Sequence, residues 1–523
     1  MVTLMMSGAS RKWWALGALS LAVLVVGLDG TVLSVALPTL AKAFGASESD
    51  LQWFSSGYFL VLAAAMIPAG ILGDRYGRKK IMLASLCLFA VGSAGCAYST
   101  SVADFLAARV LLGLAGAGII VMALSGLTVL FTEAERPKAV GIWAAANFVA
   151  TPIGPILGGW LLTHYWWGWV FLMNVPVALI GLVATVALLP ESRSSRRPGL
   201  DPVGMLGSVA GLVAVTYGLI DAGEYGWSYP KAWILIVVGL GVLVGFFGWE
   251  RRLNNRPGGQ PLLDLALFKS ASYTWGVLLA AVGVLAMIGV LFSMPQYFQG
   301  VLGLNAMGSG IRLLPLIGGL VLGAIPADRV ARLVGAKLAV AVGFLILAGG
   351  LLLGSATSLS SGTGAVALWM AITGFGMGLG MATSASAALS ELSEELAGVG
   401  SAVMQALNKI GGPFGSALLG SVLSSAYLAR LDLAGVPAPL AVTARSSIFG
   451  GLAVAHQLGS AGLLHGVQSA FVHGMDLSLT VSAGVAFLGM ALALAFLPQG
   501  DRRTVHQPQP RPAEASVELG GQR

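Results

Sequence analysis

Apolar stretches of about twenty residues, the length a helix needs to cross the hydrocarbon core of a bilayer, recur along this chain from Trp13 to Leu497. No other feature narrows the fold as far. Inside hydrocarbon every backbone N–H and C=O must find its partner within the protein, which leaves helices and closed barrels as spanning structures. Runs this long and continuous read as helices. Composition agrees: 56% of the 523 residues are hydrophobic, 10% are charged, and mean hydropathy is +0.85. Seventy-three glycines would weaken soluble helices, but in a membrane small residues let helices approach closely. The expected fold is an all-α integral membrane protein.

The apolar runs predict fourteen transmembrane helices, as two pseudo-symmetric six-helix bundles with two extra helices between them. The first six lie near 13–37, 51–72, 81–99, 103–131, 139–163 and 169–189, and the extra pair near 203–221 and 231–249. The last six lie near 271–294, 309–327, 336–357, 364–389, 398–425 and 477–497. Domains follow as a cytoplasmic N-terminus (1–12), a first bundle (13–189), a linker with the extra helices (190–270) and a second bundle (271–497). The second bundle includes a long external loop at 426–476, where Arg430, Asp432, Arg445 and three histidines interrupt the apolar pattern. A polar, proline-containing stretch at 498–523 reads as a disordered cytoplasmic tail. The first run begins at Trp13, is too long for a cleavable leader and carries Asp29 within it.

Basic residues set the expected orientation. With both termini in the cytoplasm, about 22 of the 29 Lys and Arg fall in cytoplasmic segments. The net charge of +7 is therefore a matter of placement and implies no nucleic-acid partner. The two cysteines, Cys87 and Cys96, fall on nearly opposite faces of one helix and cannot pair. The five histidines lie in loops or the tail without ligand spacing, so neither a metal nor another cofactor is expected. No G-x-x-x-x-G-K-[ST] loop is present, which removes ATP as the energy source.

The densest charge cluster occupies the turn between the second and third runs, with Asp74, Arg75, Arg78, Lys79 and Lys80 framed by Gly70, Gly73 and Gly77. It echoes in the second half as Asp328, Arg329 and Arg332, after the second helix of that set. Gly154-Pro155, followed by Gly158 and Gly159 in the fifth helix, echoes as Gly412-Pro413 in the fifth helix of the second set. Paired echoes at matching positions imply duplicated halves, with a substrate site between them. Two charges fall inside apolar runs. Asp29 lies about 24 Å along the first helix from Trp13 at about 1.5 Å per residue, and Arg109 is its basic counterpart in the fourth. Intramembrane ionisable groups face a partner or a cavity. Asp29 is a candidate proton acceptor or cation-binding group, or else a packing carboxylate bonded to Thr31 or a neighbouring helix; Arg109 could equally satisfy backbone carbonyls. Arg312 and Lys409 are weaker candidates of the same kind. Gln52, Trp53, Tyr58, Asn147, Tyr297 and Gln299 join Lys409 as candidate cavity lining.

The segment Gly70 to Lys79, GILGDRYGRK, resembles the cytoplasmic-loop signature of the major facilitator superfamily. Leu28 to Pro38 (LDGTVLSVALP), Leu106 to Gly118 (LAARVLLGLAGAG), Gly154 to Gly159 (GPILGG) and Trp169 to Pro176 (WVFLMNVP) are similar to signatures of its fourteen-helix drug:proton antiporter branch. The chain departs at Gly168 and Ala150, where that branch carries Arg and Gly, and its second-half loop has Ala331 where the first has Gly77. The resemblance implies proton coupling through Asp29 and Arg109, a conformational switch in the Asp74–Arg78 loop and a seal against leak in the Gly154–Gly159 segment. The implied activity is not enzymatic. It is proton-driven export of hydrophobic, cationic compounds from a cell membrane by alternating access, carried out by a monomer. Export of one metabolite, antibiotic or lipid is the alternative, and a membrane-embedded enzyme or receptor a distant third.

Overall fold

The computed structural model describes residues 8–132, 135–193, 201–256, 267–390 and 394–499. Among these the chain is helical throughout, without strands. The first half holds α1 (Gly8–Phe44), α2 (Glu48–Tyr76), α3 (Arg78–Ala97), α4 (Val102–Leu130), α5 (Arg136–His164), α6 (Trp169–Leu172) and α7 (Asn174–Leu188). Next come α8 (Pro202–Tyr225) and α9 (Pro230–Asn254). The second half holds α10 (Ala271–Gln296), α11 (Ala306–Arg312), α12 (Leu314–Ala324), α13 (Ala327–Val334), α14 (Ala336–Gly354), α15 (Thr363–Ser390), α16 (Glu394–Arg430), α17 (Ala438–Ser446), α18 (Ile448–Gln457) and α19 (Ala461–Phe496).

Twelve helical segments among the described residues are long and apolar enough to span a membrane. The helices α5 and α16, of 29 and 37 residues, lie where the sequence predicts further spans, and the count of fourteen remains an expectation. Segment 426–476, expected as a loop with amphipathic pieces, is largely helical. In it α16 continues to Arg430, α17 and α18 follow, and α19 begins at Ala461 rather than near 477. Most of the expected tail lies outside the described residues, as do residues 1–7.

Local chemistry starts and stops these helices. Ser47 and Asp50 form a reciprocal capping box at the head of α2, Ser101 caps α4, and Ser460 caps α19, each hydroxyl taking an N–H that has no partner within its helix. Asp201 caps α8 and also accepts from Trp249 Nε1 of α9 at 2.9 Å, tying the two extra helices together. At the charged turns both halves use a glycine with positive φ, Gly77 (118°) and Gly335 (90°), as the joint before the next helix. Only glycine adopts such angles without strain. The second turn differs by inserting the separate short helix α13.

Within the first half, α1 packs on α4, α5 and α7, and α4 on α2 and α3; within the second, α10 packs on α15, α16 and α19. The halves meet chiefly in two places, with smaller contacts of α1 on α10 and α11. α5 lies against α11, and α16 lies against α2. Each time the fifth helix of one half packs on the second of the other, as a pseudo-two-fold arrangement requires. The extra helix α8 packs on both α2 and α16 and so straddles this seam, while α9 turns Ile234, Val237, Val244 and Phe247 outward. Apolar side chains facing outward over a long helix suit contact with lipid. At the opposite edge, Lys12 Nζ donates to Glu135 Oε1 at 2.5 Å, joining the start of α1 to the α4–α5 turn. The Lys12 ammonium holds the Glu135 carboxyl below the usual carboxylate range.

Candidate functional site

Asp29 and Arg109 meet. Arg109 Nη1 donates to Asp29 Oδ2 at 2.6 Å, and the side chains of both are fully buried. The pair is held from every side. Asn174 Nδ2 on α7 donates to Asp29 Oδ1 at 3.1 Å and lies at the same distance from Ser93 Oγ on α3. Arg109 Nε donates to the Phe54 carbonyl at 3.2 Å, and its guanidinium lies 4.2 Å from the centre of the Tyr58 ring. Tyr58 in turn donates to the Val26 carbonyl at 3.2 Å. Five helices of the first half thus converge on one ion pair. Close helix approach permits this: a Cβ on Gly113 would stand 2.6 Å from the Tyr58 carbonyl oxygen. One guanidinium nitrogen, Nη2, and the Asn174 carbonyl oxygen remain unpartnered and buried.

This arrangement gives Asp29 partners on neighbouring helices. It is paired with a cation inside the half rather than facing an open cavity, and Thr31 is not its partner. The Thr31 hydroxyl donates to the Gly27 and Leu28 carbonyls of its own helix and to Ala150 of α5.

Two turns of α2 carry this site to the seam. Phe54 and Tyr58 face Arg109, while Ser56 Oγ lies 2.5 Å from Ser416 Oγ of α16. A Cβ on Gly412 would lie 3.4 Å from the Phe59 ring, and one on Gly420 would fall 2.8 Å from Gln52. The other contact runs through the Gly154–Gly159 segment, which packs on both halves at once. Gly154 and Gly158 press on Thr31 and Val32 of α1, whereas a Cβ at Gly159 would stand 2.7 Å from the Ala306 carbonyl oxygen of α11. Gly310 of α11 packs against the Pro155 carbonyl in return. Five hydrogen bonds among the described residues join the halves: Ser56 with Ser416 and with the Pro413 carbonyl, Gln296 with Glu48, Gln299 with the Val35 carbonyl, and Met307 N–H with Thr163. All lie in the part of the bundle away from the Asp74–Lys80 turn.

The sequence profile of the Major Facilitator Superfamily matches residues 19–416. The chain belongs to this superfamily. It is 34% identical over 496 residues to the tetracenomycin C resistance and export protein of Streptomyces glaucescens, covering 92% of this chain and 91% of that one. It is 31% identical to the multidrug efflux pump LfrA of Mycolicibacterium smegmatis (92% and 96% covered). Identity is also 31% to the methyl viologen resistance protein SmvA of Salmonella typhimurium (94% and 100%). Among solved structures, a bacterial homologue of the human lysosomal transporter Spinster superposes with a TM-score of 0.67 at 17% identity, covering 92% and 96%. That likeness extends the family assignment to the fold. The chain is a multi-pass membrane transporter, not an enzyme.

Other expected positions in this superfamily member are dispersed. In the charged turn, Arg78 Nε and Nη2 donate to Asp74 Oδ1 at 3.1 and 2.9 Å. Lys79 Nζ donates to the Val186 and Leu189 carbonyls at the end of α7, and Arg78 N–H to Ser192. The turn is thus latched to its own half. Arg75 lies over the Tyr76 ring; Gly73 packs on Met122. Gly70 is half-buried beside Val121. Asp328, Arg329 and Arg332 are exposed and form no ion pair among the described residues. Trp53 is half-buried, its ring 5.7 Å from that of Tyr217 on α8. Tyr297 is buried in the second half and donates to the Ser358 carbonyl. Gln52 and Gln299 are seam residues. Lys409 is half-buried on the α16 face that meets α2 and has no ion-pair partner among the described residues. The side chain of Asn147 lies outside the described residues. An apolar cavity of about 230 Å³ lies between α2, α8, α9 and α16, lined by Ala63, Ile67, Leu212, Phe246, Ala406 and Ile410 among others, with Lys409 outside its lining.

The sequence reading missed Asn174, Ser93, Glu48 and Gln296. Asn174 had a signal: it is the polar residue within the apolar segment WVFLMNVP.

Proposed function

We propose that this chain is a proton-coupled exporter of hydrophobic compounds that works by alternating access, with both termini in the cytoplasm of a cell whose plasma membrane it spans. One observation carries the coupling: the buried Asp29–Arg109 pair shares its α2 contacts with the seam between halves. With Asp29 ionised, Arg109 is neutralised and α2 is seated on it through Phe54 and Tyr58. A proton on Asp29 removes the opposing charge, leaving a buried guanidinium that must find new partners. Its remaining contacts are on α2, two turns that also touch α16 through Ser56 and Phe59. Proton binding at Asp29 thus changes what α2 rests on and biases how the halves pack.

The seam is closed at the end away from the basic turns, so with those turns in the cytoplasm the structure is closed to the outside. Both contact surfaces come from one chain, and a monomer suffices. The relatives' names, a multidrug efflux pump and a methyl viologen resistance protein, support drugs that include organic cations as substrates. The tetracenomycin C export protein and a probable actinorhodin transporter of Streptomyces coelicolor support the second reading, export of one dedicated antibiotic or metabolite. A panel of dyes and antibiotics in an exporter-deficient cell separates the two by breadth. Proteoliposomes with an imposed pH gradient test the coupling: Asp29→Asn should abolish pH-driven transport of a cationic dye, and transport at the parent rate would refute the role of Asp29.

A further inference from the structure

A second carboxyl group is buried in the seam itself. Glu48, at the head of α2, is 5% exposed, and Gln296 of α10 in the other half is 0% exposed. Gln296 Nε2 donates to Glu48 Oε1 at 3.1 Å across the interface and to the Phe292 carbonyl of its own helix. One helical turn below Glu48 on the same face of α2, Gln52 is also buried and packs on Gly420 of α16. The amide oxygens of both Gln296 and Gln52 are buried without a donor.

Counting donors and acceptors identifies what is missing. A carboxylate offers only acceptors, and an amide oxygen is another acceptor. With Glu48 as a carboxylate, the cluster holds two carboxylate oxygens and two amide oxygens, with Gln296 Nε2 as the donor reaching Glu48. Buried acceptors without donors are rare and costly. A protonated Glu48 brings one O–H donor to the seam beside the Gln296 amide, whose oxygen lacks one. A cation could serve the same end, but none pairs with Glu48 among the described residues. Of the neighbouring ionisable groups, three are engaged elsewhere and Asp476 is not, its Oδ1 being buried without a donor. Asp50 caps α2 with Ser47. The Tyr427 hydroxyl of α16 donates to the Ala444 carbonyl. Lys42 of α1 lies over the Phe449 ring. Asp476 of α19 is half-buried and Arg430 at the end of α16 is exposed.

We propose that Glu48 is a proton-binding site of the outer gate, separate from Asp29, which holds a proton while the seam is closed and is ionised when α2 and α10 part. The step balances as carboxylate plus one proton from the aqueous phase on that side, giving the buried acid. The proton returns to the same side on opening, so this site carries none across the membrane. Its effect is to make acidity on the side away from the basic turns favour the closed gate. The inference rests on the alternating-access reading above, and its test separates it from coupling at Asp29.

The test uses the full-length protein in lipid nanodiscs, with Cys87 and Cys96 replaced by alanine. Spin labels at the exposed loop positions Thr100 and Ser360, one in each half, report the width of the gate by their distance distribution. In the Glu48 protein the open fraction should rise by about tenfold or more between pH about 5 and about 8, a range spanning the ordinary carboxylate and its perturbed forms. Glu48→Gln, permanently neutral, should stay closed across that range. Glu48→Asp should keep a pH response, and Asp29→Asn should leave the response of Glu48 in place. Gln296→Leu, which removes the partner across the seam, should raise the open fraction at low pH. A response in Glu48→Gln equal to that of the parent overturns the proposal, as does a parent gate indifferent to pH. Loss of the response in Asp29→Asn alone would assign it to the ion pair instead.

Discussion

Arg109→Ala would strand the Asp29 carboxylate among apolar helices with only Asn174 as donor. Removing one partner of a buried pair costs about 3–5 kcal/mol, so this variant should lose folded yield and unfold at lower temperature in detergent. Asp29→Asn also leaves the buried guanidinium without an opposing charge, but it keeps an amide oxygen that can accept from Arg109, so its cost should be smaller. The double variant Asp29→Asn with Arg109→Gln should therefore recover most of the thermal stability lost in Arg109→Ala while transporting nothing under a pH gradient. Recovery of transport in the double variant would show that the charges serve packing alone. At this scale the sequence was informative in part. Asp29 and Arg109 each stand out as an ion inside an apolar run. That they pair depends on the register of α1 against α4, eighty positions apart in the chain, which no local pattern encodes. Glu48 could not be singled out, since it sits in ASESD beside the residues that cap α2 and looks like a solvated helix start.

Among the elements, α2 and α5 bear the first half's main surfaces at the seam. The Gly154–Gly159 segment reads from sequence as close packing, and the structure adds that its two sides serve different halves. Substitutions there should accordingly separate by face. Gly159→Val places its branched side chain against the Ala306 backbone of α11 and should hold the seam apart. The expected result is at least about a tenfold loss of transport, a branched side chain forced into a filled contact being worth about 1–3 kcal/mol, with labelling of seam residues increased. Gly158→Ala meets Val32 of α1 and should lower stability without raising that labelling. Equal labelling in the two variants would contradict the division of faces. Segment 426–476 was legible only as polar and interrupted. Helix α19 begins at Ala461 because Ser460 caps it and because His465, His473 and Asp476 lie along it at exposed or half-buried positions, where charge and helix are compatible.

For the whole molecule, the seam makes a covalent test available. Ser56 and Ser416 lie with their hydroxyls 2.5 Å apart across the halves, a separation within reach of a disulfide. Ser56→Cys with Ser416→Cys should cross-link under mild oxidation, stop transport, and regain it on reduction; continued transport by the cross-linked protein would rule out parting of α2 from α16. What the amino-acid order alone determined about this protein is its solvent, its helical class and its duplicated plan, because spanning length, the cost of unsatisfied backbone in lipid and the placement of basic residues act locally on the chain. The family signatures followed from short contiguous segments for the same reason. Only the tertiary structure decided that Asp29 and Arg109 neutralise each other, that fifth helices pack on second helices across the seam, and that Glu48 is buried at the end of the seam away from the Asp74–Lys80 turn. Each of these depends on which surfaces of distant helices come together, and in a chain with 73 glycines many faces are smooth enough to do so.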